Sequence, residues 1–218
     1  MGQATDEIQT PALAVRRKPV QERSRRTVAA ILDAAEAIVD EHGVNAATTR
    51  AIADRAGVAY PSLYRFFSDR DQILDDLLER HTMAVDLLAV AGEQTWQVES
   101  PVDVMNAEFD LHIAYYREHP SAARLWLGGR LSETVTDFVH RRMQTLADRI
   151  YTLLVEREVI PADVDRRAVL LAVELADRAM VVAYRGREDF DDELLELGRV
   201  AVGAYAESLT ALRLASGA

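Results

Sequence analysis

The amino-acid sequence predicts an all-α fold with about nine helices. Apolar residues recur at the spacing of amphipathic helices through most of the chain. No segment shows the alternating apolar and polar pattern of a half-buried strand bounded by hairpin turns. Gly and Pro residues fall between the periodic segments, where they end one helix or begin the next. These observations favour a bundle of helices over any architecture that contains a sheet.

The first periodic segment runs from Thr27 to His42. Its apolar residues form a single stripe, which consists of Val28, Ile31, Leu32, Ala35, Ile38 and Val39. Gly43 follows at the position where glycine commonly ends a helix. Residues 1–15 are polar and show no period, so a disordered tail is expected there.

Two short helices with a tight turn between them are predicted next. A threonine at position 48 or 49 is placed to cap the first of the two, and Gly57 ends it. The other begins near Tyr60, and Pro61 suits its first turn because a missing N–H costs nothing there. The sequence therefore predicts a helix-turn-helix over residues 48–67, a motif whose last helix enters the major groove of DNA.

Further helices are predicted in the remainder of the chain. Their expected bounds are Asp69 or Asp71 to Gly92, Ser100 to His119, Pro120 to Gly128, Ser132 to Glu158, Pro161 to Tyr184, and Asp191 to Leu214. The longest apolar run, residues 168–184, is interrupted by charged side chains, so no membrane span is expected. The N-terminus lacks the apolar core of a signal peptide, which favours a cytoplasmic location.

The charge of the chain is unevenly distributed about its net value of −11. Residues 16–70 contain ten basic and seven acidic side chains, whereas residues 71–218 contain 15 basic and 27 acidic ones. Such a division suits a protein that approaches DNA phosphates with one end only. An acidic solvated surface with a chance basic patch explains the same charges. The absence of cysteine excludes disulfides, thiolate metal ligands and a cysteine nucleophile.

The helix-turn-helix segment has a distinctive series of residues. Residues 48–67 read TTRAIADRAGVAYPSLYRFF and are followed by SDRDQIL, and residues 31–35 upstream read ILDAA. This series resembles the tetracycline-repressor (TetR) family of transcription regulators over about residues 23–80. The resemblance implies a DNA-binding domain at 21–70, behind a flexible basic arm at 1–20, and a ligand-binding and dimerisation domain at 71–218.

The resemblance also implies a set of DNA contacts. It places the hydroxyls of residues 48, 49 and 64 near phosphates, residues 59–61 near base edges, and residue 70 beside the DNA backbone. The candidate contacts are Thr48, Thr49, Ala59, Tyr60, Pro61, Ser62, Tyr64 and Arg70, to which the charge pattern adds Arg50, Arg65, Arg16, Arg17 and Lys18.

Two residues depart from the family pattern. Ala59 stands where Ser is usual, and Phe66 stands where Tyr or His is more frequent, so both positions lose a polar partner for phosphate. We therefore expect arginines such as Arg55 and Arg65 to compensate, with Arg65 either reading a base or holding a phosphate. The basic segment at 16–18 either follows the minor groove and the phosphates or serves only as a solubilising tail.

The resemblance implies that the last two predicted helices form a four-helix interface in a homodimer. Small residues along them permit close approach of helices, namely Ala168, Ala172, Ala176, Ala179, Ala183, Gly198, Ala201 and Gly203. The core of a monomer shows similar small residues, so both interpretations stay open.

An apolar pocket with few polar groups is predicted in the C-terminal domain. Its candidate ligand contacts are Met105, Phe109, His112, Tyr116, Trp126, Phe138, Met143, Tyr151, Glu174, Asp177 and Arg178. The apolar members are equally explained as ordinary core. Glu174 and Arg178 stand at i, i+4, so they either orient a ligand or pair with each other at the interface.

Catalytic constellations are absent from the sequence. Glu108 and His112 share a helix face at i, i+4, but no third ligand accompanies them, so neither a metal nor a cofactor is expected. No Gly-rich phosphate loop or Gly-x-Ser-x-Gly turn occurs. The prediction is a non-enzymatic, homodimeric repressor that a small hydrophobic or aromatic effector releases from a palindromic operator. The alternative is a helical small-molecule-binding or metal-binding protein, or an enzyme, on the same fold without DNA readout.

Overall fold

The computed structural model describes residues 17–128 and 133–211. Within these two ranges the regular structure is helical throughout, which confirms the predicted fold class. The elements are α1 (Arg17–His42), a short 3-10 turn (Val44–Ala46), α2 (Thr49–Ala56), α3 (Tyr60–Leu63), α4 (Arg70–Gly92), α5 (Pro101–Glu118), α6 (Pro120–Trp126), α7 (Glu133–Glu156), α8 (Arg166–Tyr184) and α9 (Asp192–Ser208).

Helices α1 to α3 pack together at the N-terminal end, and α1 also contacts α4 and α6. The apolar stripe predicted along α1 supplies much of the buried surface, because Ile31, Ala35 and Val39 are fully buried. Ile52 of α2 and Leu63 of α3 are buried in the same core. Burial of these inward residues fixes which face of α3 remains available to solvent.

The C-terminal part is arranged around α5, which contacts α4, α6, α7, α8 and α9. Its start is fixed by a capping box: Ser100 Oγ accepts from the backbone N–H of Asp103, and the Asp103 carboxylate accepts from the backbone N–H of Ser100. Helix α4 contacts α1, α5 and α6, so one continuous helix joins the N-terminal cluster to this body. Within the described ranges, no helix combines the length and apolar character that crossing a membrane requires.

The start of α1 differs from the prediction. The helix begins at Arg17 rather than Thr27, because Pro19 lies in its first turn, where proline is tolerated. The residues before Thr27 are too polar to extend the apolar stripe, so periodicity does not reveal them. Arg17 and Lys18, which the sequence analysis places in a flexible arm, are therefore helical.

Two later bounds also differ. Helix α8 begins at Arg166 rather than Pro161, because the side chain of Asp165 caps it by accepting a backbone hydrogen bond at 2.9 Å. Helix α9 ends at Ser208 rather than Leu214, and Leu214 lies outside the described residues. The other predicted helices agree with the observed ones to within a few residues.

Candidate DNA-binding surface and effector cavity

The turn between α2 and α3 is built by local backbone chemistry. Thr48 Oγ1 accepts a hydrogen bond from the backbone N–H of Ala51 at 3.1 Å, which satisfies one of the free donors at the start of α2. Gly57 ends the helix with φ of 66°, in the left-handed region that side chains resist. Ala59 precedes α3 without a side-chain cap, as its methyl group requires.

Helix α3 has one buried face and one exposed face. Leu63 is fully buried beneath it, whereas Tyr60 and Tyr64 are 44% and 46% exposed. The other predicted DNA contacts of this segment are found on the surface: Thr48, Arg50, Ala59, Pro61 and Arg65 are exposed, and Thr49 and Ser62 are half-buried. The structure therefore brings these predicted contacts together on one end of the molecule.

Three hydroxyl groups form a chain on the exposed face. The hydroxyls of Tyr60 and Tyr64 lie 2.9 Å apart, and Tyr60 Oη lies 3.4 Å from Thr49 Oγ1. The two tyrosine rings meet edge to face, with centroids 5.2 Å apart. The hydrogen bonds to Thr49 and then Tyr64 lower the pKa of Tyr60. Because two contacts use two hydroxyl protons, the third proton is available to an acceptor outside the protein.

The arginines near the turn fall into two groups. Arg50 and Arg65 are exposed, and neither forms an ion pair with another residue in the described part of the chain. Arg55, by contrast, forms a forked pair with Glu41 of α1 at 2.6 and 2.5 Å. The guanidinium of Arg55 therefore already holds α2 to α1, and the expectation that Arg55 compensates for missing phosphate contacts stays a prediction.

Arg70 also differs from the expectation drawn from the family resemblance. Its Nε donates to the backbone oxygen of Ala47 at 2.8 Å, and its Nη2 donates to that of Val44 at 2.5 Å. Its Nη1 contacts the carboxylate of Asp71 at 3.2 Å. The guanidinium thus braces the turn before α2 instead of pointing to solvent beside the DNA backbone. Of the predicted arm residues, Arg16 lies outside the described residues.

A cavity of about 50 Å³ lies among α4, α5, α6, α7 and α8. Its wall is mostly apolar and aromatic. The predicted ligand contacts that line it are Met105, Phe109, His112, Tyr116, Trp126, Met143 and Asp177. Asp177 accepts a hydrogen bond from Trp126 Nε1 at 2.7 Å, so these two polar groups satisfy each other within the wall.

Four predicted ligand contacts do not line the cavity: Phe138, Tyr151, Glu174 and Arg178. The hydroxyl of Tyr151 donates to the backbone oxygen of Ala162 at 2.6 Å, away from the cavity. Glu174 and Arg178 are exposed, and no ion pair joins them among the described residues. They occupy the outward face of α8, whereas Asp177 occupies its inward face.

The two most buried charged groups of the wall are not among the predicted ligand contacts. Arg142 of α7 is 8% exposed, and Glu108 of α5, considered from the sequence only as a metal ligand, is 4% exposed. Arg142 Nη2 contacts Asp86 of α4 at 2.5 Å, and Glu108 Oε1 accepts from Arg149 of α7 at 2.6 Å. The sequence contains one signal that predicts burial of Arg142: this residue lies on the apolar stripe that Leu146 continues four residues later.

Burial controls the ionisation of this wall. It raises the pKa of Glu108 and of Asp177, since a charged carboxylate is poorly solvated there. It also lowers the pKa of His112 to about 4. His112 Nδ1 donates to the backbone oxygen of Glu108 at 2.8 Å, which leaves Nε2 of the neutral ring unprotonated.

A second polar cluster joins α1 to the C-terminal body. Donor atoms of Glu36, His81 and His119 lie within 4.8 Å of one another, as metal ligands do. Both ring nitrogens of His81 already have hydroxyl partners, however, with Tyr115 at 2.9 Å and Ser121 at 3.2 Å. Both polar atoms of the His81 ring are therefore satisfied within the protein, and the cluster forms a hydrogen-bonded junction.

The fold and the exposed turn together define a helix-turn-helix protein with an all-helical body. The family model described as bacterial regulatory proteins, tetR family, matches residues 31–77. Over these residues the chain is similar to TetR-family regulators.

Individual relatives show the same similarity. The class D tetracycline repressor of Escherichia coli is 27% identical over 127 residues, which cover 56% of this chain and 55% of that repressor. The HTH-type transcriptional repressor KstR of Mycobacterium tuberculosis is 40% identical over 81 residues, or 35% of each chain. The chain thus spans about half the length, or less, of these curated relatives. A TetR-family regulator from Streptomyces coelicolor superposes with a TM-score of 0.67 at 28% identity, covering 84% of this chain and 99% of that one.

Proposed function

We propose that the chain is a sequence-specific DNA-binding transcriptional regulator, which acts as a repressor until a small hydrophobic or aromatic molecule releases it from its operator. The observation that carries this proposal is the exposed face of α3. Its apolar underside is buried, and its outer face presents the hydroxyl chain of Tyr60 and Tyr64 together with exposed arginines that form no ion pair within the described residues. We propose that such a regulator acts in the cytoplasm.

Each group on that face has a contact that suits it. The free proton of the Thr49–Tyr60–Tyr64 hydroxyl chain is available to a phosphate oxygen, and the exposed Arg50 and Arg65 add positive charge. Pro61 offers an apolar contact, such as that with a thymine methyl group. Direct hydrogen-bonded reading of bases therefore falls mainly to Arg65.

A homodimer would place two such faces about 34–36 Å apart, one turn of DNA. Most of the small residues of α8 and α9 pack within one protomer, although Ala201 is exposed, so we do not assign the interface to them. A Cβ atom at Gly198 of α9 would lie only 2.6 Å from that of Ala179 of α8. The outward stripe is made instead of large apolar residues that are 39% to 66% exposed, namely Leu171, Leu175, Val182, Leu197 and Val200. We assign the dimer interface to these residues.

Helix α4 provides the connection between effector and DNA. Its side chains Leu78, His81, Thr82 and Val85 line the cavity, and its first residue, Arg70, braces the turn before α2. The cavity of about 50 Å³ is smaller than the roughly 150 Å³ that accommodates benzene. A ligand must therefore displace wall residues, and α4 carries such displacement towards the helix-turn-helix.

The test is selection of bound sequences from a random DNA pool, followed by titration of the selected site at several salt concentrations. A near-palindromic site whose affinity falls steeply with salt supports the proposal. The variant Arg65→Ala should weaken binding, whereas Arg141→Ala is the matched control because Arg141 is an exposed arginine of α7, away from the α2–α3 turn. Failure to enrich any sequence would instead favour the alternative, a small-molecule-binding protein without DNA readout.

A further inference from the structure

We infer that the effector carries a neutral hydroxyl group, as a phenol does, which accepts a hydrogen bond from Arg142 and donates one to Glu108. This inference rests on the proposed function, because it names the class of molecule that the cavity takes. It is carried by three buried atoms of the cavity wall.

These atoms have no hydrogen-bond partner. They are Nε and Nη1 of Arg142 and Oε2 of Glu108. Both side chains line the cavity and are more than nine-tenths buried. Nearly all buried polar groups in native proteins are paired, so unpaired donors and an unpaired acceptor in one wall indicate a missing polar partner.

Both side chains are held in place by residues that do not line the cavity. Asp86 engages Nη2 of Arg142 at 2.5 Å, and Arg149 engages Oε1 of Glu108 at 2.6 Å. Arg149 is held in turn by Glu93, which follows the last residue of α4. The unpaired atoms are therefore fixed before any ligand arrives.

The charges of the wall decide the chemistry of the missing group. Carboxylates outnumber guanidinium groups, since Glu108 and Asp177 line the cavity with Arg142, and Asp86 and Glu93 lie behind the wall with Arg149. A carboxylate ligand would pair with Arg142 but would be repelled by Glu108. An ammonium ligand would pair with Glu108 but would leave the N–H groups of Arg142 unpaired. A hydroxyl group both donates and accepts, so it satisfies both side chains without adding charge.

The remainder of the wall fits an aromatic ring. Phe109, Tyr116 and Trp126 supply aromatic surface, and Met105 and Met143 supply flexible thioether chains. Because the cavity holds about 50 Å³, these methionines are the side chains best suited to move aside for a ring. Small monocyclic compounds are accordingly the appropriate probes.

The experiment compares four probes of similar size on the full-length chain by isothermal titration calorimetry: phenol, toluene, benzoate and benzylamine. We expect phenol to bind at least about tenfold more tightly than toluene, because its hydroxyl pairs with charged partners. Benzoate and benzylamine should bind more weakly than phenol. The measured quantity is the ratio of phenol to toluene affinity.

Variants assign that ratio to the two side chains. Arg142→Met and Glu108→Gln should each reduce the ratio by about tenfold, whereas general damage to the cavity would weaken both probes alike and leave the ratio unchanged. If Arg142→Met does not fold, Glu108→Gln alone provides the comparison. Tyr151→Phe is the matched control, because it removes a buried hydrogen bond that lies away from the cavity.

The inference is overturned if toluene, benzoate or benzylamine binds as tightly as phenol, if none of the four binds, or if the ratio survives in both wall variants. Each of these results concerns only the group attached to the aromatic ring of the probe. Selection of DNA sites is measured on the protein without any probe, so failure of the proposed function is recognised separately.

Discussion

Arg70 and Ala47 are joined by a hydrogen bond of 2.8 Å, from Nε on the first turn of α4 to a backbone oxygen just before α2. Together with the bond from Nη2 to the backbone oxygen of Val44, this bond ties α4 to the segment just before α2, the helix that supports α3. The guanidinium is about one-third exposed, so water can replace part of what a substitution removes. We therefore predict that Arg70 acts as a brace of the turn rather than as a DNA contact.

The first prediction concerns Arg70→Met. We expect the free energy of unfolding to fall by about 1–2 kcal/mol, because two backbone oxygens lose a charged donor. Operator affinity should fall as well, while the slope of log affinity against log salt stays the same. Urea titration and binding at several salt concentrations measure these effects. A slope reduced by about one, as loss of a phosphate contact produces, would contradict the bracing role.

The second prediction concerns Gly57, whose φ of 66° forms the turn between α2 and α3. A Cβ atom there would meet nothing within 4 Å, so strain in the backbone is the sole cost of Gly57→Ala. We expect a loss of about 1–2 kcal/mol in the free energy of unfolding. Gly57→Asn is the matched control, since Asn tolerates this conformation better. Equal losses for the two variants would show that the backbone conformation is not the cause.

How far the sequence predicts these features depends on how local their causes are. The sequence predicted a cap at position 48 or 49 and a helix end at Gly57, and the structure shows Thr48 as the cap, because capping and left-handed turns depend on neighbouring residues. The partners of Arg70 and Arg142 lie 23 and 56 residues away along the chain, so no local pattern reveals them. The small residues of α9 suited either a dimer interface or the core of one protomer. The structure shows that Gly198 packs against Ala179 of the same protomer, because a Cβ atom at position 198 would lie too close to that residue.

The third prediction concerns pH. Burial lowers the pKa of His112 from its usual value of 6.5 to about 4, so the unfolded chain binds a proton in that interval and the folded chain does not. The stabilisation is therefore complete above pH 6.5 and is lost progressively as the pH falls towards 4. For this side chain alone the loss is on the order of 3 kcal/mol.

His112→Gln isolates this contribution. The raised pKa of Glu108 acts in the opposite direction, since a group that binds protons more readily when folded adds stability as the pH falls. The informative quantity is therefore the difference between the wild-type protein and the variant, followed by urea denaturation from pH 7.5 to pH 4.5. The slope of stability against pH should be shallower in His112→Gln. Parallel curves would mean that His112 does not titrate as its burial requires.

The fourth prediction concerns the outward stripe of α8 and α9. Leu197 is 66% exposed in the protomer, so Leu197→Glu should leave the stability of an isolated protomer unchanged within about 0.5 kcal/mol. In a dimer the same change buries an unpaired charge, and we expect the dissociation constant of the dimer to rise by about a hundredfold. Operator binding should weaken in parallel, because one protomer reads half of a palindrome.

Leu87→Glu is the matched control for this change. Leu87 is similarly solvent-exposed, at 72%, but it lies on α4 and outside the proposed interface. Analytical ultracentrifugation of both variants separates the two surfaces. A dimer that survives Leu197→Glu but dissociates in Leu87→Glu would move the interface to α4, and with it the expected spacing of the two α3 helices. If only Leu197→Glu dissociates, the outward stripe is the dimer interface. That stripe then sets the distance between the two α3 helices, on which operator recognition depends.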